Sequence, residues 1–516
     1  MKLRKPIAMA GGLAALAGCA EKAPVQPNVI VILADDLGYG DLGCYGAIGV
    51  ETPNVDNLAA DGLRCTNAHT VASTSTPSRY GLLTGQYPFR KEGTDIAAGN
   101  AAMIISPDCY TMADMFQSQG YTTCAIGKWH LGLGSTTGEQ DWNGKLDQDL
   151  HDIGFDNYYI MAATADRVPC VFIEDGSVVN YDPEAPIEVS YTQNFEGEPT
   201  GAENPELLYN LKHSHGHDMS IVNGIGRIGF MKGGGKALWK DEHIADSITN
   251  YALNFIEKNA DKPFFMYFAT NDVHVPRFPA ERFRGASTMG LRGDAIAEFD
   301  WSVGEIVAKL KELGLYENTI LIVTSDNGPV LDDGYDDHAV ELVGEHSPTG
   351  HLRGGKYSNY EGGTMVPLIV SWPGHVEKGG LSDRLISQID FYRSLSEVVG
   401  AELPEGAAPD SRNYTDCEYA IEMSNYHTIA VRTADWKYIS PSTAPFMIDW
   451  GPNIEAGNMP EPQLYKIQGD RQEATNVAAE NPEVVEVMKA IVDAELAKGC
   501  VLTSAMPDHQ KNYNKK

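Results

Sequence analysis

Asn28-Val29-Ile30-Val31-Ile32-Leu33-Ala34-Asp35-Asp36 is the stretch on which the fold turns. An apolar run of this length, rich in β-branched residues and closed by two acids, reads as a strand buried on both faces. Such strands belong to parallel sheets covered by helices. Four other runs share the form. Residues 62–68 lead through His69 into a segment around Ser75, and 121–126 precede Gly127-Lys128-Trp129-His130. Residues 264–269 lead to Asn271-Asp272-Val273-His274, and 319–324 (TILIVT) to Ser325-Asp326-Asn327-Gly328. Helical patterns at 54–63 and 242–258 alternate with these runs, which predicts an α/β fold: a large, mostly parallel sheet sandwiched by helices. Ligands of open α/β sheets bind beyond the carboxyl ends of the strands. One polar strand end means little, because Asp and Asn are common in turns. Five of them describe one shared site.

Asp35, Asp36, Asp326 and Asn327 offer three carboxylates and one amide oxygen, with no His or Cys among them. That set suits a hard divalent cation, calcium or magnesium. Ser75-Thr76-Pro77-Ser78-Arg79-Tyr80-Gly81-Leu82-Leu83-Thr84-Gly85 places a candidate nucleophile, Ser75, just before a helix expected to start with Pro77. A helix N-terminus turns unpaired N–H groups and a positive dipole end toward an anion. Taken alone, the segment could equally be a Ser/Thr-rich loop capping an ordinary helix.

The chain has 516 residues and a formal net charge of −32, which argues against nucleic acid as a partner. Residues 1–18 read as an export signal: Lys2, Arg4 and Lys5 precede an apolar stretch too short to span a bilayer. Leu16-Ala17-Gly18-Cys19 resembles a bacterial lipobox, so Cys19 is the expected lipidation site, and residues 19–27 look like a tether. The expectation is an exported bacterial lipoprotein, anchored by lipid to the outer membrane and facing the periplasm or the cell surface. Of eight Cys, the seven beyond Cys19 form no C-x-x-C pair, so mostly free, buried thiols are expected.

On these motifs together the chain is identified as resembling the type I, formylglycine-dependent sulfatases of the alkaline phosphatase-like superfamily, over essentially the whole mature chain. The matching pieces include residues 34–41, 75–85, 127–132 and 325–328, then Leu352-Arg353-Gly354-Gly355-Lys356 with Glu361-Gly362-Gly363, and 366–374. The resemblance implies that Ser75 is oxidised to formylglycine. The Ser form implies maturation by an anaerobic sulfatase-maturating enzyme. The hydrated aldehyde would attack sulfur with one oxygen and expel sulfate by collapse of the other. Asp35, Asp36, Asp326, Asn327 and modified Ser75 would bind the cation, calcium ahead of magnesium. Arg79 would hold these groups in place, and Lys128 and Lys356 would grip sulfate. His274 would protonate the leaving alkoxide, and His130 would drive the collapse of the diol. Two departures stand out: Met365 occupies a position where relatives usually carry an Arg, and Asn271-Asp272 is more polar than the family norm.

Long insertions at 134–240 and 329–351 are the expected carriers of specificity. His213-Ser214-His215-Gly216-His217 in the first reads as a solvent-exposed run. His215, His217, Arg277 and Arg353 are nevertheless the candidates for contacts to sugar hydroxyls or sulfate. The implied substrate is a sulfated carbohydrate, a host mucin or glycosaminoglycan-type glycan bearing sulfated galactose or N-acetylgalactosamine. The catalytic domain is expected over 28–402. A small C-terminal α+β subdomain with an antiparallel sheet is expected over 411–510, closed by a helix at 483–498. Two rivals remain at this stage: a phosphatase or phosphodiesterase of the same superfamily, and an inactive surface glycan-binding protein.

Overall fold

The computed structural model describes residues 26–502; the expected export signal, the expected lipidation site Cys19 and most of the expected tether lie outside the described residues. Strand β1 (Asn28–Ala34) is fully buried and lies at the centre of the main sheet. In chain order the others are β2 (Leu63–His69), β3 (Thr122–Lys128), β4 (Asn157–Met161), β5 (Phe172–Glu174), β6 (Ser177–Val178), β7 (Phe264–Ala269), β8 (Thr319–Ser325), β9 (Met365–Ser371), β10 (Gly380–Ser382) and β11 (Ile386–Ser387). Spatially they run β10-β2-β9-β8-β1-β7-β3-β4-β5-β6, with β11 also on β2. β1 pairs in parallel with β7 and β8, and the parallel set continues through β3 to β4. β9 lies antiparallel between β8 and β2, so β2 points the same way as β1. All five strands singled out from the sequence therefore end at one rim. Register sets the level: Ala34 lies opposite Ser325, and Ala269 lies opposite Gly127. Asp35, Lys128, Thr270 and Asp326 emerge side by side.

Helix α1 (Pro53–Asp61) starts on a Pro, and the next two backbone N–H groups, of Asn54 and Val55, donate to the carboxylate of Asp300. Asp300 belongs to α5 (Gly290–Glu312), so one acid caps a neighbouring helix and ties two helices together. Helix α2 (Ser75–Thr84) begins on Ser75 itself, with Thr74 as N-cap, and not on Pro77 as the sequence suggested. Pro is tolerated at that third position because the first four helical N–H groups have no intrahelical partner. Every residue of α2 is buried. Helices α3 (Met112–Ser118), α4 (Ile244–Lys258) and α6 (Phe391–Val399) complete the cover of the sheet, sharing one continuous apolar core with it.

A four-stranded antiparallel sheet forms the C-terminal subdomain: β12 (Tyr419–Met423), β13 (Ile429–Thr433), β14 (Trp436–Ile439) and β17 (Gln463–Lys466). A two-stranded hairpin, β15 (Met447–Ile448) and β16 (Ile454–Glu455), projects between β14 and β17. The period of two divides the sheet into faces. Ile421, Val431 and Tyr438 pack with Val485, Met488 and Val492 of helix α7 (Pro482–Ala497), as expected for the closing helix. Glu422, Arg432 and Lys437 are buried with Glu361, the residue that opens the short helical turn before β9. At Met365, Arg471 from the C-terminal subdomain approaches to 3.7 Å of the sulfur and also donates to the Thr66 carbonyl. A cation from another segment thus lies next to the position where relatives usually carry an Arg. All seven cysteines among the described residues are free, three of them buried.

Candidate active site

The β1 rim carries the centre of the site. Asp35, Asp36, Asp326 and Asn327 are almost completely buried. Their positions are fixed by backbone: Asp326 N–H donates to the Ala34 carbonyl, and Asp36 N–H donates to Asp326 Oδ1 at 3.2 Å. Asp36 sits at φ 57°, in the left-handed region, which turns its carboxylate back over the strand end. Asn327 donates its amide N–H to Asp36 Oδ1 at 2.7 Å, leaving its amide oxygen 3.3 Å from Ser75 Oγ.

Ser75 stands at the N-terminal end of α2 with its hydroxyl free of any capping duty. Its Oγ lies 3.3 Å from Asp35 Oδ1 and accepts a hydrogen bond from Lys128 Nζ at 3.0 Å. Lys128 also donates to Asp35 Oδ2 at 2.6 Å. The sequence put Lys128 in the loop after its strand; it is the last residue of β3, so the sheet itself aims it. One turn into α2, Arg79 donates twice to Asp326 Oδ2, from Nε at 3.0 Å and Nη2 at 2.8 Å, and also to the Lys128 carbonyl. On the other side Lys356 Nζ donates to Asp36 Oδ2 at 2.8 Å.

Two histidines flank this group, both buried. His274 Nδ1 lies 2.6 Å from the Val275 carbonyl, a pure acceptor, so Nδ1 carries a proton. Its Nε2 faces Asp36 at 3.8 Å and Asp333 at 4.0 Å. His130 sits at φ 59° and pairs Nε2 with the Ala97 carbonyl, which leaves Nδ1 without a protein partner. Burial holds both imidazoles well below their ordinary value, helped by Lys356 and Lys128 for His274 and first by Lys128 for His130. Both rings are therefore neutral in the free protein.

The acids respond unequally. Burial lifts Asp35 well above the usual carboxylate range, with Lys128 opposing, and lifts Asp36 less. At Asp326 burial also pushes upward, but Arg79 and Lys128 outweigh it and hold the group at about 2. With Asp333 counted, four buried carboxylates meet three cations, Arg79, Lys128 and Lys356, and the converging oxygens of Asp35, Asp36, Asp326 and Asn327 are a donor set that a hard divalent cation fits. Asp35, Asp36 and His274 also lie close enough together to share an ion. The other close group among the described residues, His69, Glu361 and Glu422, already carries Lys437 and Arg432 as counter-ions.

The candidates for substrate contact divide. His217 is buried and bonded to Asp166 at 2.9 Å, and His215 lies near Ser214 and Asp332. The histidine run is thus partly folded in, where its polar sequence suggested a solvent-exposed run: His217 is buried, His213 and His215 are half-buried and Ser214 is exposed, with Gly334 leaving room for the His217 ring and Gly451 for His215. Arg277 and Arg353 call for correction. Arg277 is fully buried and donates to the carbonyls of Val273, Val330 and Leu331 and to Asp337, so it anchors the 329–351 insertion. Arg353 pairs with Glu455, donates to the Glu473 carbonyl and lies over the Tyr360 ring. It joins the Lys356 loop to the C-terminal subdomain. Asp333 belongs to the 329–351 insertion and is not among the residues singled out from the sequence. It proves to be buried, accepting from Lys356 Nζ at 2.8 Å and from the Tyr357 hydroxyl at 2.8 Å. Only its neighbourhood to a long loop could have signalled this, because the contact depends on how that loop folds back.

A buried hydroxyl held by lysine against converging carboxylates, at the rim of an α/β sheet, defines a metal-dependent hydrolase of anionic esters. Residues 27–401 match the Sulfatase family, and the chain belongs to that family as an enzyme hydrolysing sulfate esters. It is 50% identical over 499 residues to an N-acetylgalactosamine-6-O-sulfatase of Bacteroides thetaiotaomicron, covering 94% of this chain and 97% of that one. Human arylsulfatase A is 30% identical over 512 residues, covering 93% of this chain and 89% of its own. A solved structure from B. thetaiotaomicron, described within the metabolism of multiple glycosaminoglycans, superposes with a TM-score of 0.89 at 51% identity. It covers 91% of this chain and 99% of that one.

Proposed function

We propose that this enzyme removes the 6-O-sulfate of N-acetylgalactosamine residues in a glycosaminoglycan- or mucin-type glycan, through Ser75 converted to formylglycine. The observation that carries the reading is the Ser75 hydroxyl, bonded to Lys128 and set against the Asp35 and Asn327 oxygens. The ester position rests on the N-acetylgalactosamine-6-O-sulfatase that shares half its residues with this chain over nearly the full length of both.

Asp35, Asp36, Asp326, Asn327 and modified Ser75 would hold a hard divalent cation, which we take to be calcium as the family resemblance implies; it would supply Lewis acidity to developing negative charge. Formylglycine supplies a hydrated aldehyde, one hydroxyl to attack sulfur and a second that allows sulfate to leave. Lys128 already touches the attacking position, and with Lys356 it holds the sulfate oxygens in a buried site where such contacts are strong. Arg79 keeps Asp326 ionised and aimed. His274 Nε2 is the open nitrogen of a ring neutral in the free protein; it would take up a proton as the negatively charged ester binds and pass it to the leaving sugar oxygen. His130 Nδ1, a buried lone pair with no protein donor, accepts a proton from the nucleophile's second hydroxyl.

The export signal and Cys19 support a lipid-anchored protein outside the cytoplasm, where such glycans are met, and the Ser form supports maturation by an anaerobic bacterial enzyme. Protein made in an anaerobic bacterial host should release sulfate from N-acetylgalactosamine-6-sulfate faster than from the 4-sulfate. Equal rates would remove the positional assignment, and turnover of phosphate esters alone would remove the sulfatase reading for this chain.

A further inference from the structure

Lys356 is held from two sides, and one of them lies outside the metal-binding group. Its Nζ is 2.8 Å from Asp36 Oδ2 and 2.8 Å from Asp333 Oδ2. An ammonium has three protons. Two are spent on these carboxylates, and the third is the one free for a sulfate oxygen. Asp333 is itself fixed: it is 6% exposed, and its second oxygen accepts the Tyr357 hydroxyl at 2.8 Å. Tyr357 is locked in turn, with its N–H on the Ser73 carbonyl and its ring against Trp450 of the β15–β16 hairpin loop. A continuous set of contacts thus runs from the C-terminal hairpin through Tyr357 and Asp333 to Lys356.

We propose that Asp333, braced by Tyr357, is a positioning residue that holds Lys356 on the sulfate. Without Asp333, Lys356 has one carboxylate left in reach, Asp36, and would collapse onto it. Held by the Asp36 contact alone, the ammonium would swing about it and its third proton would turn away from the substrate. Asp333 supplies the balancing pull. The proposal rests on the sulfatase reading and on Lys356 as a sulfate-binding group.

The test compares wild type, Asp333→Asn, Tyr357→Phe and the double variant, using 4-nitrophenyl sulfate, N-acetylgalactosamine-6-sulfate and free inorganic sulfate as competitive inhibitor. Loss of one charge-assisted hydrogen bond corresponds to about 10- to 100-fold. Asp333→Asn should raise the sulfate Ki by about that factor and raise KM for both esters in parallel, with kcat changed by less than about threefold, as expected for uniform binding. Tyr357→Phe should act in the same direction but more weakly. The double variant should be no worse than Asp333→Asn, because Tyr357 acts through Asp333. A variant that merely folds poorly lowers the active fraction and leaves Ki unmoved, which would overturn the proposal. So would an unchanged or tighter sulfate Ki, or a KM that rises for the sugar ester alone, which would make Asp333 a sugar contact. If wild-type protein hydrolyses neither ester and does not bind sulfate, it is the sulfatase reading that fails.

Discussion

Replacing Glu473 by Gln probes the buried ionic group that clamps the C-terminal sheet to the active-site loop. Arg432 and Lys437 there face three carboxylates, Glu361, Glu422 and Glu473, all buried. His69 Nδ1 also lies 2.9 Å from Glu422 Oε1, so Glu361 and Glu422 take the close contacts to basic groups and Glu473 is the acid left without one. Its Oε2 accepts the Glu361 backbone N–H at 2.7 Å, while its Oε1 has no partner. Burial lifts its carboxyl to about 8 from an ordinary 4.5, with Lys437 opposing and Glu361 adding to the rise. Between those two values the folded chain holds a proton that the unfolded chain has released. Stability therefore falls as pH rises from about 4.5 to about 8, then levels off. At 1.36 kcal/mol per pH unit the whole window is worth up to about 5 kcal/mol. At about 2 cal/mol/K of unfolding entropy per residue, 1 kcal/mol shifts the Tm of a chain this long by about 1 °C. Glu473→Gln keeps the acceptor for Glu361 N–H, places an amide where the protonated oxygen would be, and has no proton to lose. Scanning fluorimetry from pH 5 to 8.5 covers about 4 kcal/mol of that window, so the wild-type Tm should drop up to about 4 °C further than that of the variant, with the curves closest at pH 5. Parallel curves would refute the assignment of the extra proton to Glu473.

Three further outcomes follow from the site. Arg79→Ala strands the buried Asp326 carboxylate, so it should cost about 3–5 kcal/mol of stability in denaturant unfolding, together with nearly all activity. His274→Ala should lower kcat for sugar sulfates by about 10²- to 10⁴-fold. The loss should be far smaller for 4-nitrophenyl sulfate, whose leaving group needs no proton, and equal losses would deny His274 the acid role. EGTA should inactivate the enzyme and lower its Tm by unmasking the Asp35–Asp36–Asp326 repulsion, with both effects reversed by added calcium; an enzyme indifferent to chelation would contradict the cation site.

The parts of the molecule legible in the sequence were those governed by local rules. β1, β7 and β8 appear as uninterrupted apolar runs because both their faces are buried, and the acids that end them mark the rim of the site. The antiparallel insertion of β9 between β8 and β2 was not legible, since strand order depends on contacts between distant segments. The start of α2 at Ser75 was obscured by Pro77, which is as acceptable at the third helical position as at the first. Arg277 and Arg353 were misread for a physical reason: a guanidinium next to a catalytic motif has the same sequence appearance whether it binds substrate or fastens a loop. Only the carbonyls of 330 and 331, or Glu455, reveal which. Asp333 was hidden in the converse way. An acid in a polar insertion looks solvated until the loop folds it onto Lys356.

The most direct test of the account is the mass of the tryptic peptide spanning residues 65–79, from protein produced in an anaerobic bacterial host and assayed in the same preparation. The account predicts a peptide lighter by two hydrogens at Ser75, the mark of serine oxidised to the aldehyde, in a fraction that scales with sulfate release from N-acetylgalactosamine-6-sulfate. Full sulfatase activity from protein carrying only unmodified Ser75 would contradict it.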